Sequence, residues 1–258
     1  MPSPGRRDMS QDSLSSAGHM AVSTCPPPEK EIMTAQPTTP PTVPSSLAPL
    51  QAALADPDPR LLGQGQRPQP GDSRSSVLIL LSDEPDPTVL FTVRARNLRH
   101  HSGQISFPGG HAEAFDDDLI DTALRETREE VGLDRAEVHI LGTLPQAEIP
   151  VSRSIVAPVV GWWRPNNDLV ASPTEVADIL RWPVSTLADP SHRVNAQLGP
   201  DAFIGPAWEF GELFLWGFTA LLTDTMLRLG GWEQPWDHGR IVPVPPRFRS
   251  DLRSPDTD

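Results

Sequence analysis

The sequence predicts an α/β domain in which a mixed β-sheet is layered between helices. Three observations carry that expectation. Short runs rich in Val, Ile, Leu and Phe recur at residues 76–81 (SVLILL), 89–94 (VLFTVR) and 155–162 (IVAPVVGW), as strands require. Two longer segments, 117–131 and 213–229, place apolar residues at helical spacing. Strand-like and helix-like segments alternate along the chain, which favours a sheet covered by helices.

Each element has its own warrant. The first two strands are joined by a turn through Asp83-Glu84-Pro85-Asp86. Residues 104–107 read as a short strand leading into Gly109-Gly110. The helix over 117–131 opens on Asp116, Asp117 and Asp118, where acids cap free N–H groups and meet the positive end of the helix dipole. Ala123, Leu124, Thr127 and Val131 turn toward the core, and Gly132 ends the helix as a left-handed cap. Residues 137–144 alternate as a strand. Pro158 marks the 155–162 strand as an edge or a bulge. A further strand covers 175–182, a short helix 184–187, and the 213–229 helix stops at Gly230-Gly231.

The chemistry concentrates in the helix over 117–131. Helical positions i, i+3 and i+4 share a face, so Glu126, Glu129 and Glu130 converge. Carboxylates so placed repel one another unless a cation sits among them, and hard oxygen ligands suit Mg²⁺ or Mn²⁺. Gly109-Gly110 lets the backbone approach a ligand, and the Gly110 carbonyl is a candidate fourth metal oxygen. Arg125 is placed to tie the helix to the acidic loop near Asp116. Upstream, Arg94, Arg96, Arg99, His100 and His101 form a basic cluster in a chain of net charge −13. A local positive patch beside an acidic metal site points to an anionic substrate, and arginine forks suit phosphate oxygens.

Residues 107–133, FPGGHAEAFDDDLIDTALRETREEVGL, resemble the Nudix box, a glycine-led loop followed by a helix carrying Arg-Glu-x-x-Glu-Glu-x-Gly. Gly110 stands fifteen residues before Arg125, one residue more than the family spacing. That longer loop is similar to one branch, the coenzyme A pyrophosphatases. So is the segment Arg94-Ala95-Arg96-Asn97-Leu98-Arg99-His100-His101-Ser102-Gly103-Gln104-Ile105-Ser106-Phe107-Pro108-Gly109-Gly110. The branch usually has Ser at Ala95 and Asp-Pro at Glu113-Ala114. Trp216-Gly217-Phe218-Thr219-Ala220 resembles its Trp-Gly-x-Thr-Ala element, although core packing explains those residues as well.

The resemblance implies a Nudix-type α/β/α sandwich and a metal site of Glu126, Glu129, Glu130 and Gly110, with Arg125 orienting the carboxylates. It implies a substrate-binding segment of Arg94, Arg96, Arg99, His101, Gly103 and Gln104. Glu175 stands where such proteins place a base or an extra ligand, and Glu148 is a weaker candidate. The implied reaction is metal-dependent hydrolysis of coenzyme A or acyl-CoA to 3′,5′-ADP and (acyl-)4′-phosphopantetheine. The box is equally compatible with a pyrophosphatase for ADP-ribose, dinucleotides or nucleoside triphosphates. It is also compatible with a sensor that binds a nucleotide without cleaving it, although sensors are expected to lose box glutamates and this chain keeps all three.

Bulk properties bound the rest. Residues 1–73 hold fourteen of the 31 prolines, with many Ser, Thr and Gln, and read as a disordered tail apart from a short apolar stretch at 47–54. Met9, Met20 and Met33 lie within that tail, so a later natural start is a reasonable expectation. The folded domain is expected over 74–234, with a flexible tail over 235–258. One cysteine, Cys25, excludes a disulfide framework. No apolar run reaches membrane-spanning length, and Arg6-Arg7 lacks the apolar stretch of a secretory signal. These features fit a cytoplasmic protein acting on a small nucleotide, without nucleic acid or membrane. The sequence leaves room for a homodimer.

Overall fold

Leu78 and Leu80 of strand β1 (Ser73–Ser82) enter one apolar cluster while Ile79 and Leu81 enter another. A strand buried on both faces must be covered on both sides. The structure, a computed structural model, describes residues 41–62, 73–95, 103–149, 154–199 and 204–248. Around β1 it assembles β2 (Thr88–Arg94), β3 (Ile105–Ser106), β4 (Gly109–His111), β5 (Val138–Thr143), β6 (Ala147–Ile149), β7 (Ser154–Trp163) and β8 (Val176–Pro183) into one mixed sheet. Its path runs β3-β2-β1-β7-β5, and β4, β6 and β8 pair with β1, β7 and β2. The β1–β7 pair is parallel along its whole length, and the others are antiparallel.

Four α-helices accompany the sheet among the described residues: α1 (Ala48–Leu54), α2 (Leu119–Val131), α3 (Val184–Ala188) and α4 (Gly217–Leu229). On one face, Leu78, Leu80, Leu90, Val159 and Trp163 pack with Ala123, Leu124 and Val131 of α2. On the other, Ile79, Leu81, Phe91, Val160 and Trp162 pack with Leu50 of α1 and Leu222, Met226 and Leu227 of α4. The α/β/α sandwich follows directly. A second sheet, ordered β11-β10-β9-β12, comprises β9 (Arg193–Gln197), β10 (Ile204–Phe210), β11 (Leu213–Leu215) and β12 (Ile241–Pro243).

Several expectations are corrected. The loose tail over 1–73 does not extend through residues 44–62. Leu47, Leu50 and Leu54 form one apolar stripe, with Leu47 and Leu50 fully buried in the main core. Pro49 sits in the first turn of α1, where a missing N–H costs nothing. The flexible tail expected over 235–258 is corrected over residues 241–248, where β12 pairs with β9 and Val244 and Phe248 are buried; residues 249–258 lie outside the described residues. Prolines there are tolerated because β12 is an edge strand.

Pro158 lies in a central strand. Its carbonyl accepts from Leu144 N–H at 2.9 Å, and its hydrogen-less nitrogen faces the same side, at the break between β5 and β6. Residues 213–215 belong to strand β11, and the helix starts only at Gly217, whose φ of 67° turns the chain. Asp118 alone caps α2, accepting from Ile120 and Asp121 N–H, both at 2.8 Å. Asp116 serves a different purpose.

Candidate functional site

The site begins with the first turn of α2 and the loop before it. Arg125 reaches back from the helix to Asp116, with Nε to Oδ1 at 2.8 Å and Nη2 to Oδ2 at 3.0 Å. Asp116 also accepts from Glu113 N–H and the Thr122 hydroxyl, both at 2.9 Å. The Arg125 fork holds its carboxyl well below the usual range, against the opposing effect of burial. The other arm of Arg125, Nη1, donates to Glu126 at 2.9 Å and to Glu129 at 3.3 Å. Nη2 also reaches the His111 carbonyl at 2.9 Å, pinning the glycine loop to the helix.

The three box glutamates differ in environment. Glu129 is largely exposed, Glu126 is partly buried, and Glu130 is only 4% exposed. Burial pushes the Glu130 carboxyl up to about 8, opposed by Arg94 and reinforced by the charges of Glu126 and Glu175. Burial also raises Glu126, with Arg125 acting the other way. Glu130 Oε2 is buried with no hydrogen-bond partner, and its Oε1 lies 4.0 Å from Arg94 Nη1.

Gly110 lies against Glu126, and a Cβ there would stand 2.4 Å from that carboxylate. A glycine is therefore needed for close approach. Among the described residues no three acidic or histidine side chains stand together as a formed metal cluster. Arg125 holds Glu129 outward while Glu130 points inward, so their convergence is incomplete. The donor set nevertheless fits a hard cation: an orphaned buried oxygen on Glu130 and a second carboxylate pressed onto a glycine backbone.

The upstream segment closes on the same place. Arg94 N–H donates to the Gln104 carbonyl and Gly103 N–H to the Arg94 carbonyl, each at 3.0 Å. Gly103 and Gln104 are thereby tied to Arg94, whose guanidinium reaches toward Glu130. Arg96, Arg99, His100 and His101 lie outside the described residues. Glu175 joins the site through its carbonyl, which accepts from Ala95 N–H at 2.8 Å, and its charge acts on Glu126 and Glu130. Glu148 sits on β6 opposite Ile155. Trp216 packs against the second sheet's core. Phe115, which pattern reasoning passed over, is 71% exposed beside Arg125. A large aromatic in an otherwise acidic loop was the available signal.

The NUDIX domain pattern matches residues 72–197, a span that contains the glycine loop, α2 and Glu175. "Uncharacterized Nudix hydrolase NudL" of Yersinia enterocolitica is 35% identical over 167 residues, covering 62% of this chain and 85% of that protein. Its namesake in Yersinia pestis is 36% identical over 155 residues, covering 58% and 75%. The crystal structure of a MutT protein from Methanosarcina mazei Go1 aligns with a TM-score of 0.41 and 18% identity, over 61% of this chain and 91% of its own. A glycine loop locked to an Arg-Glu-x-x-Glu-Glu helix, and relatives matched over most of their length, lead to one conclusion: the chain belongs to the Nudix hydrolase family.

Proposed function

We propose that this Nudix hydrolase cleaves the pyrophosphate of coenzyme A or acyl-CoA, releasing 3′,5′-ADP and (acyl-)4′-phosphopantetheine. The observation that carries this reading is segment 94–110. It resembles the coenzyme A branch, and the described Arg94 at its start bonds to Gly103 and Gln104 through the backbone while its Nη1 lies 4.0 Å from Glu130.

Glu126, Glu129 and Glu130, with the Gly110 carbonyl, would hold Mg²⁺ or Mn²⁺. When bound, the metal supplies charge neutralisation at the phosphates and acidifies water. The chain's own residues supply position. Arg125 orients Glu126 and Glu129 while anchoring the loop through Asp116 and the His111 carbonyl. Arg94 neutralises charge beside Glu130 and is placed to meet a phosphate oxygen. Glu175, whose charge acts on Glu126 and Glu130, is the candidate base or extra ligand.

The test is hydrolysis by the purified protein with Mg²⁺ or Mn²⁺, with coenzyme A, ADP-ribose, NADH and dNTPs in parallel and products separated by chromatography. Release of 3′,5′-ADP well ahead of the other products is expected. Faster cleavage of ADP-ribose, NADH or a dNTP would replace the substrate, and silence on all would favour a binding-only protein.

A further inference from the structure

A cleft of about 480 Å³ opens on the outer side of α2, on the flank of the same helix that carries the box glutamates. Its wall on the loop side is Phe115, 71% exposed, with the Arg125 guanidinium 5.5 Å from its ring centroid. An exposed aromatic ring backed by a fixed cation is a stacking surface awaiting a flat partner.

Asp116, Asp121 and Glu129 balance Arg125, Arg128 and Arg135 in the cleft, so the informative question is which of them are already paired. Arg125 is committed to Asp116 at 2.8 Å. Arg135 is committed to Asp121 at 2.5 Å. Glu129, on the rim shared with the box, is assigned above to the metal. That leaves Arg128, which lines the cleft and has no side-chain hydrogen bond or ion pair with the described residues. An uncommitted guanidinium in the same cleft as an exposed aromatic ring selects a ligand that carries both an anion and a planar ring.

We propose that this cleft is the subsite for a purine nucleoside phosphate, with Phe115 stacking on the base and Arg128 pairing with a phosphate monoester. The inference deepens the coenzyme A reading, because the adenosine 3′-phosphate end of that substrate has this chemistry. Glu129 joins the cleft to the metal-binding face, so a nucleotide seated there leaves its 5′-phosphate side next to the box. The loop that carries Phe115 is the one lengthened by a residue relative to the family spacing.

The probe is adenosine 3′,5′-bisphosphate, titrated calorimetrically into the full chain in EDTA, so that no metal contact contributes. Wild type, Phe115→Ala and Arg128→Ala are compared, with Mn²⁺ affinity and melting temperature measured on each. Each substitution is expected to weaken bisphosphate binding about tenfold. Inorganic phosphate should respond to Arg128→Ala alone, and adenosine to Phe115→Ala alone. Mn²⁺ affinity and melting temperature should stay at wild-type values.

Failure of the wild type to bind the bisphosphate would overturn the proposal. So would wild-type affinity in both variants, or a fall in Mn²⁺ affinity in step with the nucleotide. Binding that depends on Phe115 and Arg128 in a protein that does not cleave coenzyme A would keep this subsite and discard the substrate reading. Cleavage with unaltered nucleotide binding in both variants would do the reverse.

Discussion

Arg125 and Asp116 are joined by two near-parallel bonds of 2.8 and 3.0 Å, and the same guanidinium reaches two box glutamates. One side chain thus fixes both the loop and the carboxylates. Asp116 has a folded pKa below its unfolded one. Its contribution is therefore complete above about pH 4 and is lost as pH falls toward the folded value. Urea midpoints of wild type and Asp116→Asn should differ by a constant amount from pH 7 to 5, and the gap should close below about pH 4. A gap unchanged down to pH 2.5 would contradict the depressed carboxyl.

Gly110→Ala separates folding from catalysis. The added methyl would meet only the tip of Glu126, a flexible side chain that can move aside. Stability should change by less than about 1 kcal/mol. The displaced carboxylate should cost at least about a hundredfold in kcat. Equal kcat in wild type and variant would show that Glu126 is not used.

Glu129→Gln and Glu130→Gln should both abolish turnover but differ in stability. Glu129 is exposed, so its variant should melt like wild type. Glu130 is a buried carboxyl with an orphaned oxygen, and a neutral amide is cheaper to bury. In EDTA, Glu130→Gln should be at least as stable as wild type while Mn²⁺ affinity falls more than about tenfold. Near-wild-type turnover in Glu129→Gln would remove the metal site as drawn.

Leu50→Ala tests whether residues 44–62 are part of the domain. Leu50 is fully buried in the main core, so truncation should cost about 2–5 kcal/mol in a urea titration. A protein beginning at residue 63 should lose more, since Leu47 and Leu54 go as well. An unchanged midpoint in that shortened chain would make α1 an ornament.

Arg193 is buried between Trp208 and Trp236, with ring centroids 4.4 Å from its guanidinium carbon on both sides, and it pairs with Asp224. Asp224→Ala strands that charge and should cost about 3–5 kcal/mol. Adding Arg193→Met should recover part of the loss, measured as a higher melting temperature in the double variant. A further drop would mean that the arginine contributes through its stacking alone.

The helix of the box was legible because every local signal agreed: an acidic N-terminus, an apolar stripe and a terminal Gly132. The β1, β2 and β7 strands were legible as continuous apolar runs. α1 was obscured because its stripe of Leu47, Leu50 and Leu54 lies in a proline-rich stretch and gains meaning only against β-strands far along the chain. The second sheet was obscured because β9 and β10 mix polar and small residues, and β12 pairs with β9 across more than forty positions. At the site, residue types could be read from spacing. Which glutamate is buried could not, because Glu130 owes its burial to neighbours such as Arg94 and the loop before β8.

That loop docks on the end of α2 by two backbone bonds, Val170 N–H to the Val131 carbonyl at 3.0 Å and Ser172 N–H to the Glu130 carbonyl at 2.8 Å. Glu175 follows three residues later. In the chain it is forty-five positions from Glu130, yet in space it is moored to the same helix terminus. Length changes in the turns between β5 and β7, outside the strands themselves, can therefore accumulate without moving Glu175, provided the return to Val170 is kept. On the role proposed for Glu175, a change of one residue between Ser172 and Glu175 would be inherited as a loss of activity in a protein that still folds.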